Sequence, residues 1–134
     1  PPLIAPPVLA AGWLRGPLNE TSIVGRMVPQ PIVGDYRGAM ARLDELLSSD
    51  FVLLGDDVDP ATLLSPQEKA GWDALGARYV AVRPQNKYTH GPAELVDLNE
   101  VIGPWLRKYG VRAVAVRPDK FVAAADVSGL AVPA

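Results

Sequence analysis

Asp56, Asp57 and Asp59 put three carboxylates within four residues. Hard cations take oxygen ligands, so this spacing suits Ca2+ or Mg2+. The same run fits an ordinary solvated loop equally well, and no fourth ligand is in view. His90 is the single histidine. Acid–base work by His90 would need Asp56, Asp57 or Asp59 within hydrogen-bond reach. The plainer reading is an exposed loop residue in the polar stretch Lys87-Tyr88-Thr89-His90, which can touch a partner as loops often do. Cysteine is absent. Disulfides, thiol catalysis and Cys-based metal sites are therefore ruled out.

The totals narrow the classes further. A chain of 134 residues is one domain by size, long enough for a real core. Its net charge of -2, with both signs interspersed and no basic stripe, argues against a nucleic-acid partner. No apolar run approaches the ~20 residues of a membrane span. No basic region or cleavage pattern opens the chain, and the lack of cysteine fits a reducing compartment, so a cytoplasmic location is expected. The sequence starts at Pro1 without an initiator Met, and it is expected to be a piece of a longer polypeptide.

The elements that must position these side chains can be read in order. Pro1, Pro2, Pro6, Pro7 and Pro17 block helix and ladder pairing, so residues 1–22 read as an extended arm or interdomain linker. Its Leu3, Ile4, Val8, Leu9, Trp13 and Leu14 are apolar enough to lie against a surface, and Trp13 is an interface candidate. Residues 28–33 are extended by their prolines, and 34–38 form a turn. A short strand is expected over 39–43 and one helical turn over 44–47, capped by Asp44.

Residues 51–55 (FVLLG) give the cleanest buried-strand signal. Ser65-Pro66-Gln67-Glu68 starts a helix with a capping box, and Gly76 ends it. Strand follows over 77–83 and polar loop over 85–92. A helix over 99–109 ends at Gly110, with Pro104 demanding either a start near Glu100 or a kink. Strands over 111–116 and 121–125 flank the turn Pro118-Asp119-Lys120. Trp72 and Trp105 are expected in the core. The pattern of residues 76–84 returns at 110–118, which reads as two similar structural slots (helix exit, buried strand, turn) because a solenoid needs at least three copies. This order predicts a mixed sheet with helices packed on it: a parallel pair across each crossover, closed by an antiparallel hairpin.

The order, with Pro31, the turn at 35–38, Leu43-Asp44-Glu45-Leu46 and Phe51-Val52-Leu53-Leu54, resembles the thioredoxin-like fold in its peroxiredoxin-type layout. The fold class is thus α/β, with a mixed central sheet, flanking helices and no cysteines. In redox members of that fold the nucleophilic cysteine follows the strand at 51–55; here residues 55–64 hold none.

A more specific resemblance runs over about residues 23–125. The segment Gly25-Arg26-Met27-Val28-Pro29-Gln30-Pro31, then Leu43 to Leu47, Phe51 to Gly55, Trp105-Leu106, and Val114-Ala115-Val116-Arg117-Pro118-Asp119-Lys120-Phe121-Val122-Ala123 are similar to the C-terminal domain of flavin-dependent aromatic monooxygenases of the 3-(3-hydroxyphenyl)propionate hydroxylase type. The resemblance implies a parent that binds FAD in a separate Rossmann-type domain and takes hydride from NAD(P)H. The dinucleotide fingerprint G-x-G-x-x-G does not occur here. Gly55-Asp56 also lacks the Ala-Ala-His that follows in the family's second flavin motif.

Residues 23–134 would therefore be a non-catalytic thioredoxin-like domain, with no cofactor, metal or catalytic residue of its own. Docking on the FAD-binding domain of its parent chain, or homodimerisation, would be its task. Arg26 and Gln30, in the most family-specific segment, are expected either at that contact or bonding the extended backbone beside the prolines. The alternative function is a stand-alone, redox-inactive thioredoxin-like module that binds a protein.

Overall fold

A computed structural model describes residues 22–47, 50–87, 89 and 91–125. Seven strands form one sheet. They are β1 (Ile32–Gly34), β2 (Met40–Arg42), β3 (Val52–Asp56), β4 (Arg78–Pro84), β5 (Glu94–Asp97), β6 (Ala113–Val116) and β7 (Val122–Ala125), in the spatial order β2-β1-β5-β4-β3-β6-β7. β3, β4 and β5 are parallel, while β1 and β6 run antiparallel to their neighbours. Helices α1 (Leu43–Leu46), α2 (Pro66–Ala74) and α3 (Ile102–Lys108), and a 3-10 turn at Pro60–Leu63, complete the chain. This is the thioredoxin-like α/β sandwich expected from the sequence.

Strand alternation divides the core. Val52 and Leu54 of β3, Val80 and Val82 of β4 and Val114 and Val116 of β6 face Ile102 and Leu106 of α3 and Leu43 of α1. Phe51, Leu53, Ala113, Ala115 and Ala123 face the other way, onto Trp72 of α2. The alanines on this side leave room for the indole, which meets Phe51 edge to face with ring centroids 5.8 Å apart. Because β3 is covered on both faces, Val52, Leu53 and Leu54 are apolar in succession rather than alternating. β4 and β6 flank it on either side. The repeated pattern at 76–84 and 110–118 thus marks two equivalent slots, each entered through a glycine in the left-handed region, Gly76 (φ 73) and Gly110 (φ 69).

Several local expectations are corrected. Helix α1 starts at Leu43, and Asp44 does not cap it; the Asp44 N–H instead donates to Gln30 Oε1 at 2.7 Å. Helix α3 starts at Ile102 rather than near residue 99. Pro104 is then the third helical residue, where a backbone N–H would have no intrahelical acceptor, so no kink is needed. Residues 94–97 are a strand that the sequence reading passed over, inserted between β1 and β4. The valine-rich β6 is antiparallel to β3, so the crossover through α3 does not yield a parallel neighbour. The α2 capping box is present in full, with Glu68 N–H donating to Ser65 Oγ at 3.1 Å and Ser65 N–H to Glu68 Oε1 at 2.8 Å.

Candidate functional site

The carboxyl ends of parallel strands are where open α/β sheets place ligands, and the acidic loop lies there. A cleft of about 80 Å³ opens at the ends of β3, β4 and β5, with Asp56, Asp57, Asp97, Glu100 and Arg107 on its walls. Each carboxylate that the sequence singled out has a separate structural job. Arg107 Nη1 donates to both oxygens of Asp56 at 3.0 Å, tying α3 to β3 across 51 residues of sequence. Gly103 lets that pair lie flat against the helix, since a Cβ there would sit 3.0 Å from Arg107 Nη1 and 3.2 Å from Asp56 Oδ1.

Asp57 accepts from Arg83 Nη1 at 3.1 Å and from Lys87 Nζ. Burial pushes its pKa up, but the bonds from Lys87 and Arg83 prevail and hold it below the ordinary carboxylate value. Arg83 also donates to Glu94 Oε2 at 2.6 Å, so one guanidinium joins β4, β5 and the loop after β3. Asp59 caps the 3-10 turn, accepting from the Ala61 N–H at 3.0 Å.

Asp97 was not anticipated from the sequence. It is 3% exposed, and its two oxygens accept from the N–H groups of Val101 and Gly103, both at 2.9 Å. It therefore supplies the start of α3 with the carboxylate that α3's own N-cap residue, Val101, lacks. The legible signal was the alternation Glu94-Leu95-Val96-Asp97, whose burial alternates half-buried and buried.

Chemically, this arrangement is a set of clasps. Asp56 and Asp57 are engaged by cations, and Asp59 and Asp97 by helix-start N–H groups, so these four oxygen pairs are spent on holding the fold. Among the described residues no group of three or more His, Cys, Asp or Glu is placed to hold a metal ion. His90 lies outside the described residues, and with it the reading that pairs His90 with the aspartates.

Of the interface candidates, Trp13 also lies outside the described residues. Arg26 Nε donates to the Ser22 carbonyl at 2.8 Å, and its guanidinium sits 5.1 Å from the Tyr109 ring centroid. Gln30 Nε2 donates to the Val28 carbonyl at 3.2 Å, while its Oε1 receives the Asp44 N–H. Both side chains thus fasten the proline-rich segment to the domain.

Residues 25–131 match the model of the protein family described as the HcaD C-terminal domain. Among curated proteins, 3-(3-hydroxy-phenyl)propionate/3-hydroxycinnamic acid hydroxylase 2 of Burkholderia vietnamiensis is 32% identical over 88% of this chain and 23% of its own length. The hydroxylase of the same description from Paraburkholderia xenovorans is 36% identical over 76% of this chain and 17% of its own length. The chain thus spans less than a quarter of the length of these curated relatives. Looser likenesses in solved structures include aklavinone-11 hydroxylase in complex with FAD and aklavinone, at 23% identity and a TM-score of 0.48, covering 75% of this chain and 17% of that one. Another is the reduced 2-Cys peroxiredoxin of Plasmodium vivax, at 14% identity and a TM-score of 0.42, covering 83% and 90%.

FAD does not fit the cleft at the ends of β3 to β5. The cleft of about 80 Å³ is far below the several hundred Å³ of a typical cofactor pocket, and its walls carry four carboxylates that would repel a pyrophosphate.

Proposed function

Because this chain belongs to the HcaD C-terminal domain family, we propose that it is the non-catalytic C-terminal domain of an FAD- and NAD(P)H-dependent aromatic-ring hydroxylase, with a docking or dimerisation role. The observation that carries this reading is the match over most of this chain to hydroxylases several times its length. The clasps at the ends of β3 to β5 support it, since they use their charged groups to hold the fold. Residues 1–22 then serve as the linker and 23–134 as the domain. FAD and the nicotinamide bind in the missing part of the parent, whose FAD-binding domain is the partner. Trp13, Arg26 and Gln30 are the residues this reading assigns to that contact, and the enzyme works in the cytoplasm.

Two measurements test this. The purified chain, incubated with FAD and desalted, is expected to be colourless at 450 nm and to oxidise no NADH in the presence of 3-(3-hydroxyphenyl)propionate. Stoichiometric retained flavin would overturn the reading. The coding sequence upstream of Pro1 is expected to continue in frame through a dinucleotide-binding fingerprint. An initiator Met directly before Pro1 would instead support a stand-alone, redox-inactive binding module.

A further inference from the structure

We propose that the open end of the sheet, β1 and β2 with the turn between them, is the surface on which the flavin-bearing remainder of the parent chain docks; this rests on the functional reading above. Four large hydrophobic residues are exposed among those described, and Ile32 (41%), Tyr36 (37%) and Met40 (70%) all fall within this hairpin. Val33 points into the core beside α3 and α1. Ile32 and Met40 therefore face the opposite side, the side of α2. The cluster under α2 includes no residue of β1, β2 or β5; on this face the Leu98 side chain lies over Gly34, 3.7 Å from where a Gly34 Cβ would be, while Ile32 and Met40 stay exposed.

The hairpin's backbone is also available. Asp35 N–H donates to the Ala39 carbonyl and Leu43 N–H to the Pro31 carbonyl, which turns the polar groups of Ala41 toward β1. Those of Met40 and Arg42 consequently point out of the sheet edge. At the other edge, residues 25–28 bond to Lys120 and Val122 and close the start of β7. The turn is held rigid, because Asp35 Oδ1 accepts from the N–H groups of Arg37 at 2.8 Å and Ala39 at 2.9 Å. Arg37 Nε in turn donates to the Tyr36 hydroxyl at 2.9 Å. Such a preformed Tyr–Arg pair loses little entropy on binding.

Charge and chain length identify the occupant. Arg83, Arg107 and Arg117 each pair with a carboxylate. Arg42, two residues from Met40 on the same face of β2, and Arg37 in the turn have no carboxylate partner among the described residues. A complementary surface therefore presents Asp or Glu around an apolar centre. A second copy of this chain would set the same unpaired arginines against one another. The B. vietnamiensis relative has over three quarters of its length outside the matched part, since the match covers 23% of it. That polypeptide is large enough to supply such a surface.

The test uses the full-length chain with a protease site inserted between residues 1 and 21. After cleavage, the wild-type domain is expected to coelute with the flavin-bearing fragment on size exclusion. Met40→Asp is expected to weaken that association about tenfold or more. Gln67→Asp on α2 should leave it intact, and both isolated variants should keep the wild-type melting temperature. Undiminished coelution of Met40→Asp would overturn the assignment. So would a dimeric isolated chain that Met40→Asp splits, which gives the surface to a second copy. If no flavin domain precedes Pro1, the functional reading itself fails and this assignment falls with it.

Discussion

At the scale of single residues, the hairpin between β6 and β7 shows how a short motif stores its own geometry. Arg117 is buried at 8% exposure and donates from Nε to Asp119 Oδ1 at 3.0 Å, with a second bond from Nη2 to Oδ2. Asp119 Oδ1 also accepts the Phe121 N–H two residues on, the bond that the Pro-Asp turn chemistry predicted. The Arg117 bonds hold the Asp119 pKa below the ordinary carboxylate range, with burial opposing them. Asp119→Asn is expected to cost about 1 kcal/mol in urea unfolding at pH 7, below the usual scale of a hydrogen bond to a charged group because the half-exposed carboxylate is screened by solvent. Since the folded pKa is depressed, this increment is fully present above the ordinary value near pH 4 and is lost as pH falls through the lowered one. The gap between wild type and variant should therefore close on acidification below about pH 4; a gap constant from pH 7 to pH 2 would refute the pairing's role.

At the same scale, legibility divides by sequence distance. The Asp119 turn and the Ser65–Glu68 capping box were readable because donor and acceptor lie two or three residues apart. The Asp56–Arg107 and Asp57–Arg83 pairs were not, because nothing in local sequence brings together residues 51 and 26 positions apart. The three aspartates invited a metal reading for that reason: their nearest charges in sequence are one another, whereas the partners of Asp56 and Asp57 come from α3, β4 and the loop after β4.

At the scale of elements, close approach and capping set the sensitive positions. Gly55 in β3 packs under the loop that follows it, and a Cβ there would lie 2.1 Å from the Val58 carbonyl oxygen. Backbone cannot yield cheaply to such an overlap, so Gly55→Ala is expected to destabilise by about 3 kcal/mol, read as a lower urea midpoint with unchanged slope. Ser65→Ala removes one half of the α2 capping box and should cost about 1 kcal/mol, most of which Ser65→Asp should restore. The missed strand β5 belongs to this scale too. It is only four residues long, and its Glu94 and Asp97 read as loop until their partners, Arg83 and the start of α3, are in place.

At the scale of the whole molecule, both faces of one sheet hold the core, so neither half can unfold and leave the other intact. Leu54 is fully buried between β4 and β6. Leu54→Ala is expected to cost about 3 kcal/mol. Its loss should appear equally by far-UV circular dichroism and by tryptophan fluorescence, which reports Trp72 on one face and Trp105 on the other. Non-coincident transitions would show that the two faces are independent units.

The sequence alone determined that β3, β4 and β6 are buried, where α2 begins, and that this chain has no cysteine chemistry, since these follow from side-chain type and from partners a few residues away. Tertiary structure decided the rest. It threaded β5 between β1 and β4, turned β6 antiparallel to β3, and gave Asp56 and Asp57 their distant cations. Those outcomes depend on which surfaces meet when the sheet closes, and a contact between residues far apart leaves no periodicity in the chain to be read.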